Sequence, residues 1–269
     1  LLGPYREATW SPSALFVAAT RENELAAVEP DGDVRWTLAR REVHFPRWTG
    51  SATDTRIVYL TPSRLRVVPG DGTGDAAGPR AATTVPPAWR PGARFVVAYV
   101  DTRGRVWAFD VDARRTFWPP RLSLSPRFAD ARKLEWSSDG SRLLLVTPSQ
   151  LVVFGMQAAA PLAVLPMRDV VDAAFEPGTH RIAVARGGEI ALFDADRPTA
   201  KPRLLFAGTG PFDSLAWSPD GRWLLVGWPA ADQWVFVRGD GRRIRAVSNV
   251  SEQFRSRSFP RIEGWCCAR

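Results

Sequence analysis

General acid-base chemistry in a protein most often begins with a histidine, and this sequence holds only two, His44 and His180. His180 closes the turn-forming run Pro177-Gly178-Thr179-His180, and His44 lies in a different repeat unit just before Phe45-Pro46-Arg47. Such a pair meets only if both rings face one central space, and a turn position places His180 on a rim instead. The chain has no Gly-x-Ser-x-Gly elbow, no His-Glu-x-x-His helix and no Gly-x-x-x-x-Gly-Lys phosphate loop. A Ser-His-Asp set assembled from distant positions stays open, with no local motif behind it.

Acidic pairs offer a second chemistry. Asp31 with Asp33, Asp71 with Asp75, Asp110 with Asp112, and Asp194 with Asp196 carry the oxygen ligands that calcium prefers. Each pair falls between two short apolar runs, where Asp and Gly are wanted for turn geometry alone, and none has the ligand alternation and distal glutamate of an EF-hand. The turn reading is preferred, and no metal or cofactor is expected. Cys266 and Cys267 are adjacent, with no second pair to complete a zinc site.

The net charge of +8 is carried almost wholly by arginine, Lys133 and Lys201 being the only lysines. Basic proteins are drawn to phosphate backbones and anionic surfaces, but the arginines are scattered along the chain. Nucleic acid is therefore not an expected partner, since its footprint is a clustered stripe. No apolar run reaches the length of a transmembrane helix. The opening Leu1-Leu2-Gly3-Pro4 lacks the charged-then-apolar design of a signal peptide, so a mature form or a fragment is expected, any membrane tether lying outside it.

The elements that must position these residues show in an internal repeat. An aromatic closes an apolar run, a Ser/Pro/Asp/Gly turn follows, and a second apolar run opens. The fullest copy is Trp217-Ser218-Pro219-Asp220-Gly221-Arg222, followed by Trp223-Leu224-Leu225-Val226; the other landmarks are Trp10, Trp48, Trp89, Trp136 and Phe175. Their intervals are 38, 41, 47, 39 and 42 residues. A period of about 40 to 50 residues, with four short strands in each, is that of a β-propeller blade. The expected fold is thus an all-β propeller of four-stranded antiparallel blades, a single domain over 1–269 with six complete blades. At the ends, Gly3–Pro12 aligns without a gap on Gly210–Pro219, and Phe259-Pro260-Arg261 repeats Phe45-Pro46-Arg47. Residues 258–265 are then expected as a seventh inner or closing strand, in a seven-bladed parent with one blade shared between the termini, the rival being a six-bladed ring with a trailing tail.

The Trp-Ser-Pro-Asp-Gly-Arg phrase resembles the TolB-like, or PD40, class of bacterial WD40-like repeats. The resemblance spans the whole chain, with Trp217–Arg222 matching in full; Ser11-Pro12-Ser13 lacks Asp-Gly, and Thr49-Gly50-Ser51 lacks the proline. It implies a bacterial, extracytoplasmic (periplasmic or cell-surface) propeller that binds other proteins.

Landmark tryptophans have a packing role between blades, so the twelve tryptophans do not by themselves indicate ligand stacking. What the repeat leaves unexplained gathers near the end of the chain. Gly227-Trp228-Pro229-Ala230-Ala231-Asp232-Gln233-Trp234 reads as an enlarged connection between second and third strands, and Trp228, Asp232 and Gln233 are the candidate partner-contact residues. Trp228 covering a blade junction is the competing role. The favoured function is a non-catalytic scaffold for a protein or peptide. The rivals are a hydrolase with a channel-sited metal, the regulatory propeller of a peptidase, and a glycan binder using Trp228 or Trp265.

Overall fold

The computed structural model describes residues 5–51, 53–119, 127–157, 160–254 and 258–265. Among the described residues, twenty-four strands form six four-stranded antiparallel sheets. Each sheet is a meander joined by turns. The first holds β1 (Glu7–Trp10), β2 (Val17–Arg21), β3 (Glu24–Val28) and β4 (Val34–Ala39), and the second holds β5 (His44–Gly50), β6 (Thr55–Thr61), β7 (Arg64–Pro69) and β8 (Ala76–Ala77). The third holds β9 (Ala88–Trp89), β10 (Val96–Val100), β11 (Val106–Asp110) and β12 (Arg115–Trp118). The fourth holds β13 (Lys133–Trp136), β14 (Arg142–Val146), β15 (Gln150–Gly155) and β16 (Pro161–Pro166). The fifth holds β17 (Val170–Phe175), β18 (Arg181–Arg186), β19 (Glu189–Asp194) and β20 (Arg203–Ala207). The sixth holds β21 (Ser214–Trp217), β22 (Trp223–Trp228), β23 (Gln233–Arg238) and β24 (Ile244–Ser248), and one helical turn, α1 (Val250–Gln253), follows. The chain is an all-β protein of six propeller blades.

Two compact units divide it: residues 1–136 with 156–160, and residues 137–155 with 161–269. In the first unit, Ile57, Val58, Tyr59 and Leu60 of β6 are all essentially inaccessible, as a strand covered on both faces must be. Ile57 and Tyr59 pack with Ala18, Leu25 and Val43, while Val58 and Leu60 pack with Val97 and Tyr99. In the second unit, Leu144, Val146, Phe175, Ile182 and Val184 form one core, and Ala183, Phe212, Leu215, Leu224, Val226 and Val235 form the next.

The repeated turn has a mechanical explanation. Ser218 Oγ donates to Asp220 Oδ1 at 2.6 Å and accepts the Trp223 amide at 2.9 Å, while the Arg222 amide donates to Asp220 Oδ1 at 3.0 Å. Ser137 and Asp139 repeat this arrangement, with Ser137 Oγ accepting from Arg142 N at 2.9 Å and Asp139 Oδ1 from Ser141 N at 3.0 Å. Ser11 keeps the serine half alone, accepting from Phe16 N at 3.1 Å. Serine and aspartate therefore satisfy turn amides that would otherwise be unpaired.

The landmark aromatics tie one blade to the next. Trp89 Nε1 donates to the Arg47 carbonyl at 2.8 Å, Trp136 Nε1 to the Ala88 carbonyl at 3.1 Å, and Trp217 Nε1 to the Ala174 carbonyl at 3.3 Å. Each acceptor immediately precedes the landmark aromatic of the preceding blade, so one geometry recurs every forty-odd residues. The packing role fails in part for Trp10, which is 43% exposed.

Two expectations are corrected. Residues 258–265 form no strand; the Ile262 amide donates to Ser214 Oγ at 3.1 Å, Ile262 is buried, and Trp265 sits edge-on to Phe236 at 5.7 Å. The segment is held against the sixth blade by these contacts without a ladder. The enlarged connection at 227–234 is also smaller than expected, because β22 continues to Trp228 and β23 begins at Gln233. Only Pro229–Ala231, a single 3-10 turn, and Asp232 lie between them. Leu1-Leu2, Cys266 and Cys267 lie outside the described residues.

Candidate functional site

In the second unit, three connections converge: Arg168-Asp169 between β16 and β17, Gly187-Gly188 between β18 and β19, and residues 208–213 between β20 and β21. The Gly208 amide donates to the Gly188 carbonyl at 2.9 Å and the Phe212 amide to the Gly187 carbonyl at 3.3 Å, so the tight hairpin braces the longer loop. A Cβ on Gly188 would sit 2.4 Å from the Gly208 carbonyl oxygen, which is why only glycine closes this approach. Upstream, Met167 N donates to Ser149 O at 3.0 Å and Val170 N to Pro148 O at 3.1 Å, fixing both ends of the Arg168-Asp169 step. Asp169 takes a left-handed φ of 57° and stands exposed at its crest.

The first two of these connections frame an open basin of about 510 Å³ lined by Arg168, Asp169, Arg186, Gly187, Gly188 and Glu189. Arg186 reaches Glu189 Oε2 at 3.4 Å across the hairpin, and both side chains stay substantially solvated. The surface is mixed in charge and held by backbone hydrogen bonds, which suits it to complementary polar contact.

None of the three predicted contact residues lines the basin: Trp228 packs against the 208–213 loop, and Asp232 and Gln233 contact residues 248–251. The Trp228 ring stands edge-on to Phe206 at 5.9 Å and to Phe212 at 5.7 Å, and its indole donates to the Thr209 carbonyl at 3.0 Å. Gly208 is required here too, because its Cβ would lie 2.9 Å from that ring. Trp228 thus caps the core between the fifth and sixth blades. Asp232 takes a left-handed φ of 51° and closes the 3-10 turn; its Oδ1 accepts the Ser251 amide at 2.9 Å and its carbonyl the Val250 amide at 3.3 Å. Gln233 Nε2 donates to Ser248 Oγ at 3.1 Å. The three residues lie on one connection, but each is already engaged within the protein.

Missed from the sequence were Arg168, Asp169, Arg186 and Glu189. The available signal was Met167-Arg168-Asp169 beside a Gly-Gly hairpin, which pairs a strained acidic residue with a glycine-lined approach.

A second cluster concerns the open question of a Ser-His-Asp set. His180 Nδ1 lies 2.6 Å from Asp196 Oδ2, and its Nε2 lies 3.1 Å from both Ser141 Oγ and Asp139 Oδ2. Partial burial disfavours the charged ring, but the hydrogen bonds to Asp196 and Asp139 outweigh it and hold the His180 pKa above its ordinary value. The Asp139 carboxyl is held well below the usual range, first by the Ser137 hydroxyl and then by the Ser141 amide. Ser141 Oγ donates to Asp139 Oδ2 at 2.8 Å. A carboxylate at each nitrogen favours the imidazolium form over the neutral ring that a general base requires; the arrangement joins the 1–2 turn of one blade to two turns of the next. His44, at the start of β5, belongs to the other unit and lies beside Phe45.

The first aspartate of each acidic pair serves its turn. Asp31 Oδ1 accepts from Asp33 N, Asp71 Oδ1 from Thr73 N, Asp110 Oδ1 from Ala113 N and Asp194 Oδ1 from Asp196 N. Among the described residues, no group of His, Cys, Asp and Glu is arranged to hold a metal ion, and no helix is long and apolar enough to cross a membrane.

No family model and no curated protein matches the sequence. Solved structures do match in fold. Hydrazine synthase of Kuenenia stuttgartiensis superposes with a TM-score of 0.68 at 14% identity, over 89% of this chain and 78% of that one. A chain of the mitotic checkpoint complex gives 0.68 at 16% identity, over 90% and 76% respectively. The β-propeller domain of Cps50 (Swd1) from Myceliophteria thermophila gives 0.66 at 12% identity, over 91% and 86%. At such identities the likeness establishes the WD40-like propeller fold alone.

Proposed function

We propose that this propeller is a non-catalytic scaffold whose second-unit loop face receives a protein or peptide partner. The observation that carries the reading is the basin itself: charged side chains of both signs stand in solvent on loops locked by the Gly188, Gly208 and Phe212 hydrogen bonds. Fixed loops lose little entropy on binding, so complementarity converts to affinity with a small ordering cost. Trp228 braces the 208–213 loop, and Asp232 and Gln233 hold the connection between β22 and β23 in place. The engagement of both His180 nitrogens agrees with a role without bond chemistry. One fold neighbour belongs to a multiprotein assembly, the mitotic checkpoint complex, which also agrees. Within that reading the chain belongs to the TolB-like, or PD40, class and works outside the cytoplasm of a bacterium. Its support is the full Trp217–Arg222 motif and the repetition of the serine-aspartate turn at Ser137 and Asp139.

The test is affinity capture from an extract of the source organism, with an Arg168→Glu, Arg186→Glu variant beside a control carrying Arg115→Glu on an outer strand. Such surface changes shift stability by only about 0.5 kcal/mol. The expected result is one saturable protein, lost with the loop-face variant and retained by the control. Equal capture by both, or none by the unaltered protein, overturns the reading.

A further inference from the structure

The outer strand of the sixth blade is unlike the other outer strands. All five residues of β24 are exposed, whereas β4, β8, β12, β16 and β20 each cover at least one of theirs. Like the other outer strands, β24 ends its sheet, so its far edge has no strand beside it among the described residues. Register shows which groups that edge presents. The Arg238 amide donates to the Arg243 carbonyl at 2.8 Å, and pairing continues through Phe236 with Arg245 and Trp234 with Val247. In an antiparallel pair, hydrogen-bonded positions alternate. Arg243, Arg245 and Val247 therefore turn their backbone groups inward, and Ile244, Ala246 and Ser248 turn theirs outward. The Ser248 carbonyl is taken by Gln253 Nε2 at 2.8 Å, leaving the amides and carbonyls of Ile244 and Ala246 to face solvent.

Around the hairpin leading into this edge the charge is one-sided. Arg203 donates to the Gly239 carbonyl at 2.6 Å, the Gly239 amide donates to the Arg222 carbonyl at 2.9 Å, and the Arg245 guanidinium lies 5.9 Å from the centre of the Trp223 ring. Arg203, Arg222, Arg238, Arg242, Arg243 and Arg245 thus surround one turn, against Asp220 and Asp240. Both aspartates accept turn hydrogen bonds, Asp220 from Ser218 and Arg222, Asp240 from Arg242. Arg242 and Arg243 make no ion pair among the described residues.

We propose that β24 is a docking edge for an acidic, extended segment of a protein partner, added as a fifth strand. The open amides and carbonyls supply a ladder, and the arginines supply charge complementarity. Arg243 and Arg245 lie about 6.8 Å apart along the strand, the spacing of alternate side chains on an incoming strand. The peptide is favoured over a nucleic acid because a sugar-phosphate chain uses the charge but not the ladder, and Ile244 and Val247 break the basic stripe. A purely protective role for the arginines, as charges that keep an edge from pairing, is the opposing explanation. This surface uses none of the loop-face residues.

The experiment is fluorescence anisotropy with the full chain and a labelled probe of about eight residues alternating Glu and Val. Companion probes are a Lys-Val peptide, the Glu-Val peptide N-methylated on alternate amides, and a single-stranded thymidine oligomer. Arg243→Glu with Arg245→Glu keeps a charged, protected edge but reverses its sign. Ala246→Pro removes one outward amide without touching the pairing to β23. The expected result is saturable binding of the Glu-Val probe, weakened at least tenfold by the double reversal and several-fold by Ala246→Pro. N-methylation should abolish it, and Arg168→Glu with Arg186→Glu should leave it unchanged. Failure of the Glu-Val probe to bind, equal affinity for the Lys-Val peptide, or wild-type affinity in both edge variants overturns the proposal. Binding of the oligomer in place of the peptide overturns it in favour of nucleic acid. None of these outcomes bears on the loop-face reading, which is tested at other residues.

Discussion

Two charged clusters join neighbouring blades, one in each unit, and they are built from different chemistry. In the first unit Asp75 receives Arg40 Nη2 and Arg66 Nη2, each at 2.6 Å, and the Tyr59 hydroxyl at 2.9 Å. The Asp75 side chain is only 4% exposed. Burial opposes its charge, yet hydrogen bonds from Arg66, Arg40 and Tyr59 carry its pKa below the ordinary range. Burial, and then the Asp75 charge, push the Tyr59 hydroxyl far up, so it stays a donor. In the second unit the same task falls to His180 between Asp139 and Asp196, with Arg142 reaching Asp196 at 3.3 Å. Guanidinium groups stay charged at any accessible pH, whereas an imidazolium does not. One junction should therefore be indifferent to neutral pH and the other responsive to it.

The largest effect is expected from Asp75→Asn. It removes the one charge that two arginines and a tyrosine share in a nearly dry site, and breaking such a pair costs about 3 kcal/mol. Urea unfolding measures it, and a loss below about 1 kcal/mol would show that solvent screens this cluster as fully as an exposed pair.

The next effect is pH-dependent. His180 has a raised folded-state pKa, so its stabilisation is full below the ordinary value of about 6.5 and is lost as pH rises through the folded value. Asp139 is depressed, so its contribution is present above its ordinary value and lost as pH falls through the folded one. The Gly178 amide, which donates to Ser138 Oγ at 2.8 Å across the same turns, reports the junction by hydrogen exchange. Its protection should fall from pH 6 to about 8.5, after correction for intrinsic exchange. His180→Ala should remove that fall, and the amides around Asp75 should show none. A parallel loss at both junctions would erase the contrast.

The smallest effect is the coupling itself. A double-mutant cycle of Asp139→Ala with His180→Ala at pH 6 should give about 0.5 kcal/mol, since Asp139 is half exposed and screened. The same cycle near pH 8.5 should give less.

Much of the fold was legible because packing sets the repeat period. Trp89, Trp136 and Trp217 recur because each must reach the inner strand before it, and serine and aspartate recur because turn amides need acceptors. The junction chemistry was not legible. Asp75 reads as an ordinary turn residue, and its partners Arg40 and Tyr59 are 35 and 16 residues away. His180 does lie in the turn between first and second strands, but Asp139 stands 41 residues earlier in another blade. The site was half legible. Trp228 stood out as surplus to the repeat, yet local sequence does not distinguish a tryptophan that caps a core from one that meets a ligand. The basin escaped notice because Gly187-Gly188 reads as a plain hairpin, and its charged rim is assembled from two separate connections. The expected strand at 258–265 failed because its Phe-Pro-Arg likeness to 45–47 carries no ladder partner with it.

The most direct test of the scaffold role is photocrosslinking with a reactive residue placed singly at Arg168, Glu189, Arg115 or Leu162, in extract of the source organism. The account predicts one discrete crosslinked protein from positions 168 and 189 and none from 115 or 162. Crosslinks of equal yield from all four positions, or from none, would contradict it.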